Sequence, residues 1–248
     1  MTISEPLPGE VARRLLRAAD RAALATRLAK RDDPALEAWP YASLVLLACD
    51  HDAAPLLLMS DLSEHARNIA GDPRLSLLID GTAGRVDPLT GPRVSLLGTA
   101  EKTDDARLKA RFVARHPAAS LYADFGDFNL YRVSVARAHF VAGFGRIHWI
   151  EANEIGFNAA GAAALAAAED SLTARMNGQG GLADALARGT AGRTGTGWRI
   201  TGVDPEGIDL RRKGSVARAE FSMPVMDEAG AESAALALRN QADGRTKR

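Results

Sequence analysis

The chain has 248 residues, 46% hydrophobic and 25% charged, with 31 Lys plus Arg balanced by 31 Asp plus Glu. These values suit one large globular domain or two small ones and argue against disorder over most of the length. A formal net charge of +0 gives no steering toward phosphate backbones, so no nucleic-acid partner is expected. The one cysteine, Cys49, excludes an intrachain disulfide and a Cys-based zinc site. It lies in the apolar run SLVLLAC and reads as a buried thiol. The N-terminus MTISEPLPGE has no basic or apolar signal region, and no apolar stretch reaches membrane-spanning length. The expected compartment is the cytoplasm, with no membrane partner.

Residues 9–20 place Val11, Leu15, Leu16, Ala18 and Ala19 on one side of an amphipathic helix. Arg21 to Ala29 fits either more helix or a first strand. PYASLVLLAC and APLLLMS flank Asp50-His51-Asp52 and read as a β-hairpin. Both runs are apolar at nearly every position, so both faces should be covered, as in a closed barrel. Ser63 caps a short helix whose apolar side carries Ala66, Ile69 and Ala70, stopped at Gly71 before Pro73. Leu75 to Ile79 is a third strand, and RVSLLGTAEKT, after a Gly/Pro/Asp loop, a fourth. Thr103-Asp104 caps the helix DARLKARFVARHP. FNLYRVSVARAHFVAGFG gives two further strands or one long bent one, with Tyr131, Val133 and Val135 on one face and Phe140 in the wall. About six strands with one crossover helix suit a small barrel better than a doubly wound parallel sheet.

Beyond about residue 158 the composition shifts toward alanine. NAAGAAALAAAED reads as a linker becoming helix, and SLTARMNGQGGLADALARGTAGRTGTG as helical pieces. WRITGVDPEGIDLRRKGSVARAEFSM forms a hairpin or meander turning at Asp-Pro-Glu-Gly. Glu228 to Gln241 is a last helix, and GRTKR a basic tail expected to be disordered.

Several chemistries are absent. There is no G-x-S-x-G, no H-E-x-x-H and no G-x-x-x-x-G-K-[ST], and no metal site is expected. Gly178 to Ala183 mimics a dinucleotide fingerprint but follows a helical segment rather than a strand. The informative stretch runs from Leu58 to Asn68. A strand ends at Ser60 and a helix starts near Ser63, so unpaired N–H groups, two hydroxyls, His65 and Arg67 converge. A phosphate monoester needs such donors. The same residues also read more plainly: Ser63 as a cap, Arg67 and Asn68 as a solvated helix face, and His65 as a surface histidine.

The order hairpin, S-x-x-S-x-H-x-R-N, DPRLSLLI and PRVSLLGTAE continues into YADFGDFNLYRV at 122–133, HFVAGFGRIHWI at 139–150 and WRITGVDPEGIDL at 198–210. This series resembles the FMN-binding split barrels of the pyridoxamine 5′-phosphate oxidase-like superfamily, nearest to their two-domain haem-utilisation branch. The resemblance implies an α+β fold. An antiparallel, FMN-binding-type split β-barrel occupies 1–157, and a small C-terminal α+β domain with a basic tail occupies 158–248. It also implies a homodimer with the cofactor in a cleft between subunits. FMN would touch Met59, Ser60, Ser63, His65, Arg67, Asn68 and Arg93. Among these, Ser60, Ser63, His65 and Arg67 hold the phosphate, and Arg93 meets the flavin edge. Leu58 and Met59 lend backbone groups to the ring, and Ser43 is a further contact of that kind.

Two departures from the family stand out. Glu64-His65 replaces an Arg-Lys pair of the oxidase, which weakens phosphate affinity. Arg175-Met176-Asn177-Gly178-Gln179-Gly180 replaces the H-M-N-x-D-H of the haem branch, so both histidines are missing. Arg93 also reads as a surface residue at a strand start. Trp149 and Phe144 either wall the cleft or pack in the barrel, and Tyr131 and Trp198 read as core. Three functions compete. The first is an FMN-dependent oxidoreductase, with the flavin supplying the chemistry. The second is a haem-binding or haem-degrading protein with an axial ligand from His65, His139 or His148. The third is a non-catalytic module holding a small-molecule ligand. No acid–base pair stands out, so no catalytic residue is assigned.

Overall fold

The structure, a computed structural model, describes residues 6–29, 34–143 and 145–246. The chain divides into two compact units, Met1–Phe157 and Asn158–Arg248. No described helix is long and apolar enough to cross a membrane.

In the first unit, helix α1 (Pro8–Ala18) opens on a proline in its first turn and buries Ala12 and Leu16. Strand β1 (Arg21–Arg27) follows directly. Its residues alternate outward and inward, with Ala22, Leu24 and Thr26 buried, so the two-residue period overrides the alanines' helix propensity. Strands β2 (Pro40–Leu46), β3 (Ala48–Cys49) and β4 (Pro55–Ser60) come next, then helix α2 (Glu64–Gly71) and strands β5 (Arg74–Asp80) and β6 (Arg93–Thr103). Helix α3 (Ala106–Arg115), strand β7 (Phe128–Val141), strand β8 (Ile147–Glu151) and a single turn α4 (Ala152–Ile155) complete the unit. The strands form a curled antiparallel sheet in the order β2-β1-β5-β6-β7-β4-β3, with β8 added on β7. This is a split barrel.

The expected hairpin around residues 50–52 shrinks to two pairs, Ala48 with Leu56 and Cys49 with Pro55. Upstream of it, β2 pairs with β1 along its whole length, from Arg27–Pro40 to Arg21–Leu46. The chain changes sides at Leu47, whose N–H donates to the Asp20 carbonyl at 3.0 Å. It thereby passes from one end of the strand order to the other and closes a barrel corner. The expected two-sided burial holds for β4 but not for β2, whose Leu44 and Leu46 face solvent.

The helix after β6 is capped by Asp105, one residue later than expected, with its carboxylate accepting from Arg107 and Leu108 N–H. FNLYRVSVARAHFV is one 14-residue strand. It slips register opposite Leu97 and Gly98. A Cβ on Gly98 would run into the Ser134 carbonyl, so glycine permits the close approach at this bulge. The core joins Leu24, Leu57, Leu77, Ile79, Leu96 and Phe140, all essentially inaccessible. Burial of each such side chain contributes about 1.5–3 kcal/mol. Cys49 and Tyr131 are buried in the same cluster, as expected.

Buried arginines fasten the corner. Arg13 donates to the carbonyls of Glu154 and Gly156, each at 3.1 Å, and Arg17 to those of Asp50 and His51 at 3.0 and 2.7 Å. Arg111 reaches the Cys49 carbonyl at 2.6 Å, and Arg115 the last carbonyls of α1, Ala18 and Ala19, at 3.2 Å. The Asp50 carboxylate pairs with Arg107 at 2.9 Å, and Arg132 pairs with Asp52. Burial alone pushes the Asp50 carboxyl up. The His51 N–H and the Arg107 and Arg111 guanidinium groups outweigh burial and hold it below the usual range.

The second unit packs helices α5 (Ala163–Gly178) and α6 (Leu182–Ala191) with a meander of β9 (Arg199–Asp204), β10 (Gly207–Arg212) and β11 (Ser215–Glu220) and helix α7 (Glu228–Thr246). Trp198, Leu172, Met176, Ile208 and Leu210 form its core. Residues 244–246 continue α7 rather than forming a tail, and Lys247 and Arg248 lie outside the described residues. Arg175 pairs with Glu228 and Glu232 of α7. The neighbouring Asn177 amide bonds both the N–H and the carbonyl of Ile200 at 2.9 Å, splinting α5 to β9. Arg218 is wholly buried between Asp204 and Asp209, at 2.8 and 2.9 Å. Burial opposes its charge, but the two carboxylates raise its pKa well above the usual arginine value.

Candidate functional site

The β4–α2 junction forms as the sequence suggests, but its two serine hydroxyls are spent internally. Met59 pairs with Asn129 and Ser60 with Phe128 at the start of β7. Ser63 is the N-cap. Its hydroxyl accepts from the Ala66 N–H at 3.4 Å and donates to the Ser60 carbonyl at 2.7 Å. The Ser60 hydroxyl accepts from the Leu62 N–H at 3.1 Å and donates to the Asp127 carboxylate at 2.5 Å. Beside it, Asp61 pairs with Lys102 at 2.9 Å, and the ammonium holds that carboxyl below its usual range.

The other predicted contacts divide. The Met59 side chain is buried in the core. Asn68 is wholly buried, donating to the Thr26 hydroxyl and accepting from the Ala29 N–H, each at 3.0 Å, so its amide ties α2 to β1. His65 is half-buried. Burial pushes its pKa down, and the Glu64 charge only partly offsets this, so the ring is neutral at pH 7. Arg67 is exposed on the helix. Ser43 turns inward on β2, opposite Leu24, with a buried hydroxyl that has no described partner. Arg93 is not brought to this junction. It pairs with Val141 at the far end of β7 and donates to the carbonyls of Leu89 at 2.7 Å and Gly91 at 3.2 Å.

A phosphate at this junction would meet Asp127, Asp61 and Glu64, against Lys102 and Arg67. The residues present do not fit a phosphate dianion well, because the Asp127 carboxylate already accepts the Ser60 hydroxyl's hydrogen bond and adds like charge. Sequence reasoning missed Asp127 and Lys102. Asp127 stands inside the quoted YADFGDFNLYRV motif, but only the pairing of β4 with β7 carries it to Ser60.

The outer face of the sheet gathers a different set. One register row crosses β2, β1, β5, β6, β7 and β8 as Leu44, Ala23, Leu78, Ser95, His139 and Trp149. The next row includes Ser76, Leu97, Arg137 and Glu151. Leu44 is 71% exposed, Trp149 54%, Leu78 42% and Leu97 39%. Trp149 is therefore not barrel packing. Its ring lies 4.7 Å from that of His139, and the Arg137 guanidinium sits 5.2 Å from its centre while pairing with Glu151 at 2.6 Å. Arg93 lies on this same face, diagonal to His139. Phe144 lies outside the described residues. In the second unit, a cavity of about 470 Å³ is lined by Gly189, Thr190, Arg218, Glu220, Leu238 and Gln241. The Arg218 guanidinium there is committed to Asp204 and Asp209.

A curled antiparallel sheet closed at one corner, with a short capped helix leaving β4, defines a split β-barrel. Residues 7–155 match the model of the CREG β-barrel family, and the chain belongs to that family. It is 31% identical to Atu2129, a protein of unknown function from Agrobacterium tumefaciens, over 96% of this chain and 97% of that one, with a TM-score of 0.80. A heme binding protein from Mycobacterium smegmatis is 28% identical over 98% of this chain and 100% of its own, with a TM-score of 0.56. Among curated proteins, the chloroplastic non-canonical heme oxygenase HOZ of Arabidopsis thaliana is 36% identical over 110 residues. That match spans 43% of this chain and 33% of the plant protein.

Proposed function

We propose that this protein binds haem on its split-barrel unit, as a homodimer with the ligand in a cleft at the edge of the subunit interface. The observation that carries this reading is the exposed apolar outer face of the sheet. A patch of this kind on a soluble domain marks a binding surface. Its β2–β1–β5 half, with Leu44, Leu46 and Leu78, suits a second copy of the chain. Its β6–β8 half, with Leu97, His139 and Trp149, suits a flat apolar macrocycle. Similarity along nearly the whole chain to a mycobacterial heme binding protein, and over a shorter span to a plant heme oxygenase, supports the same ligand. Bound haem would supply iron-centred ligand binding and electron transfer. The protein's part is an apolar bed, cations for the ligand's carboxylates, and exclusion of water.

The test is titration of the full chain with ferric haem and, separately, with FMN, followed by desalting. The expected result is a saturable Soret shift that survives desalting, with flavin absorbance removed. Retention of FMN without haem would overturn the proposal in favour of a flavin-dependent oxidoreductase. One observation favours that second reading: Arg67 is exposed one turn in from the helix cap, where it can reach a phosphate.

A further inference from the structure

The chain has five histidines, and their surroundings separate them. His51 and His116 are buried, and the His116 Nε2 lies 2.8 Å from the Leu47 carbonyl. His65 stands in the first turn of α2, beside the negative charge of Glu64. His148 pairs with Phe140, on the side of β8 where Ile150 is buried, and so turns away from the outer face. His139 alone stands on the apolar outer face. Its ring is half-buried, makes no hydrogen bond to any described residue, and rests against Trp149.

We infer that His139 is the axial ligand through which this protein holds haem iron, with Trp149 backing the imidazole. The inference rests on the haem-binding reading. An axial imidazole needs one ring nitrogen free toward the metal and a support that fixes the ring plane. The indole at 4.7 Å, tilted by 47°, supplies that support. The surface around the ring is suited to a macrocycle. Leu97 is exposed on the neighbouring strand, in the adjoining row. Arg93 sits on the diagonal, about 7–8 Å away in an antiparallel sheet, and Arg137 two residues before His139 on the same strand and face, where both can meet the carboxylates of a tetrapyrrole. Their present partners are the carbonyls of Leu89 and Gly91 for Arg93, and Glu151 for Arg137. Two backbone oxygens and one exposed carboxylate can be exchanged for a ligand at little cost.

The test compares ferric haem spectra of the full-length protein with those of His139→Ala, His139→Cys and His148→Ala. His139→Ala is expected to lose at least about tenfold in haem affinity, the scale of even an outer-shell change at a metal site. Added imidazole should restore the wild-type Soret position. His139→Cys should bind haem with a displaced Soret band, because a thiolate replaces the imidazole. This second variant decides the matter if His139→Ala does not fold. His148→Ala should match wild type. Wild-type binding with spectra unchanged in both His139 variants overturns the ligand assignment and leaves haem binding standing. A wild type that takes up no haem overturns both.

Discussion

The Ser60 hydroxyl donates to the Asp127 carboxylate at 2.5 Å, and the Asp61 N–H donates to the Asp127 carbonyl at 2.7 Å. Asp127 therefore latches the end of β4 to the turn that begins β7, at the place where a flavin phosphate would compete for the same hydroxyl. Removing the carboxylate frees the serine proton and deletes one negative charge. Asp127→Ala should raise FMN affinity by about tenfold, the effect of roughly 1.4 kcal/mol of relieved repulsion. Quenching of flavin fluorescence measures it, and an unchanged affinity would mean that no phosphate approaches Ser60.

Leu44 and Leu78 flank Ala23 on the outer face of the sheet. The double variant Leu44→Glu, Leu78→Glu places two like charges where a second copy should pack. Both side chains are exposed, so far-UV circular dichroism should not change. Light scattering should then show a monomer, against the dimer proposed for the wild type. An unchanged mass would remove this face from the interface.

Asp50 has a folded-state pKa below its unfolded value, so its contribution to stability is present above about pH 4 and fades as pH falls through the folded value. Asp50→Asn should cost about 2–3 kcal/mol at neutral pH, the scale of a charged hydrogen bond lost near Arg107. Urea melts across pH should show the gap between variant and wild type closing below about pH 4. A gap that persists at low pH would assign the loss to packing instead.

Arg218 neutralises two carboxylates in the second unit's sheet. Arg218→Met leaves Asp204 and Asp209 buried without it and should destabilise that unit by about 3–5 kcal/mol. Hydrogen exchange at β9 to β11 should accelerate accordingly, with β5 and β6 of the first unit as internal controls. Uniform acceleration in both units would show that they unfold as one.

Local features were legible in the sequence, and long-range ones were not. Ser63 as a cap, Cys49 as buried and the Asp-Pro-Glu-Gly turn follow from a few neighbouring residues. The Arg21–Arg27 strand was ambiguous because alanine favours helix while the burial alternation is set by the sheet. The partner of β2 was misjudged because an apolar run does not say which strand it pairs with, and the break at Leu47 leaves no local mark. The site shows the same limit. Ser60, His65 and Arg67 were visible as neighbours along the chain. The Ser60–Asp127 bond depends on the pairing of β4 with β7, and the His139–Trp149 contact on that of β7 with β8.

The arginines at the barrel corner bond mainly to carbonyls, at Asp50, His51, Cys49, Ala18, Ala19, Glu154 and Gly156. Every residue type carries a carbonyl, so these clamps do not depend on which side chains occupy the clamped positions. The carbonyl bonds themselves therefore tolerate substitution at the clamped positions, although Asp50 is held in addition by its carboxylate on Arg107. Arg13, Arg17 and Arg115 do not tolerate exchange for lysine, which lacks the planar fork that spans two carbonyls. Distant members of the family should accordingly retain these arginines while varying at Ala18, which is clamped only through its carbonyl.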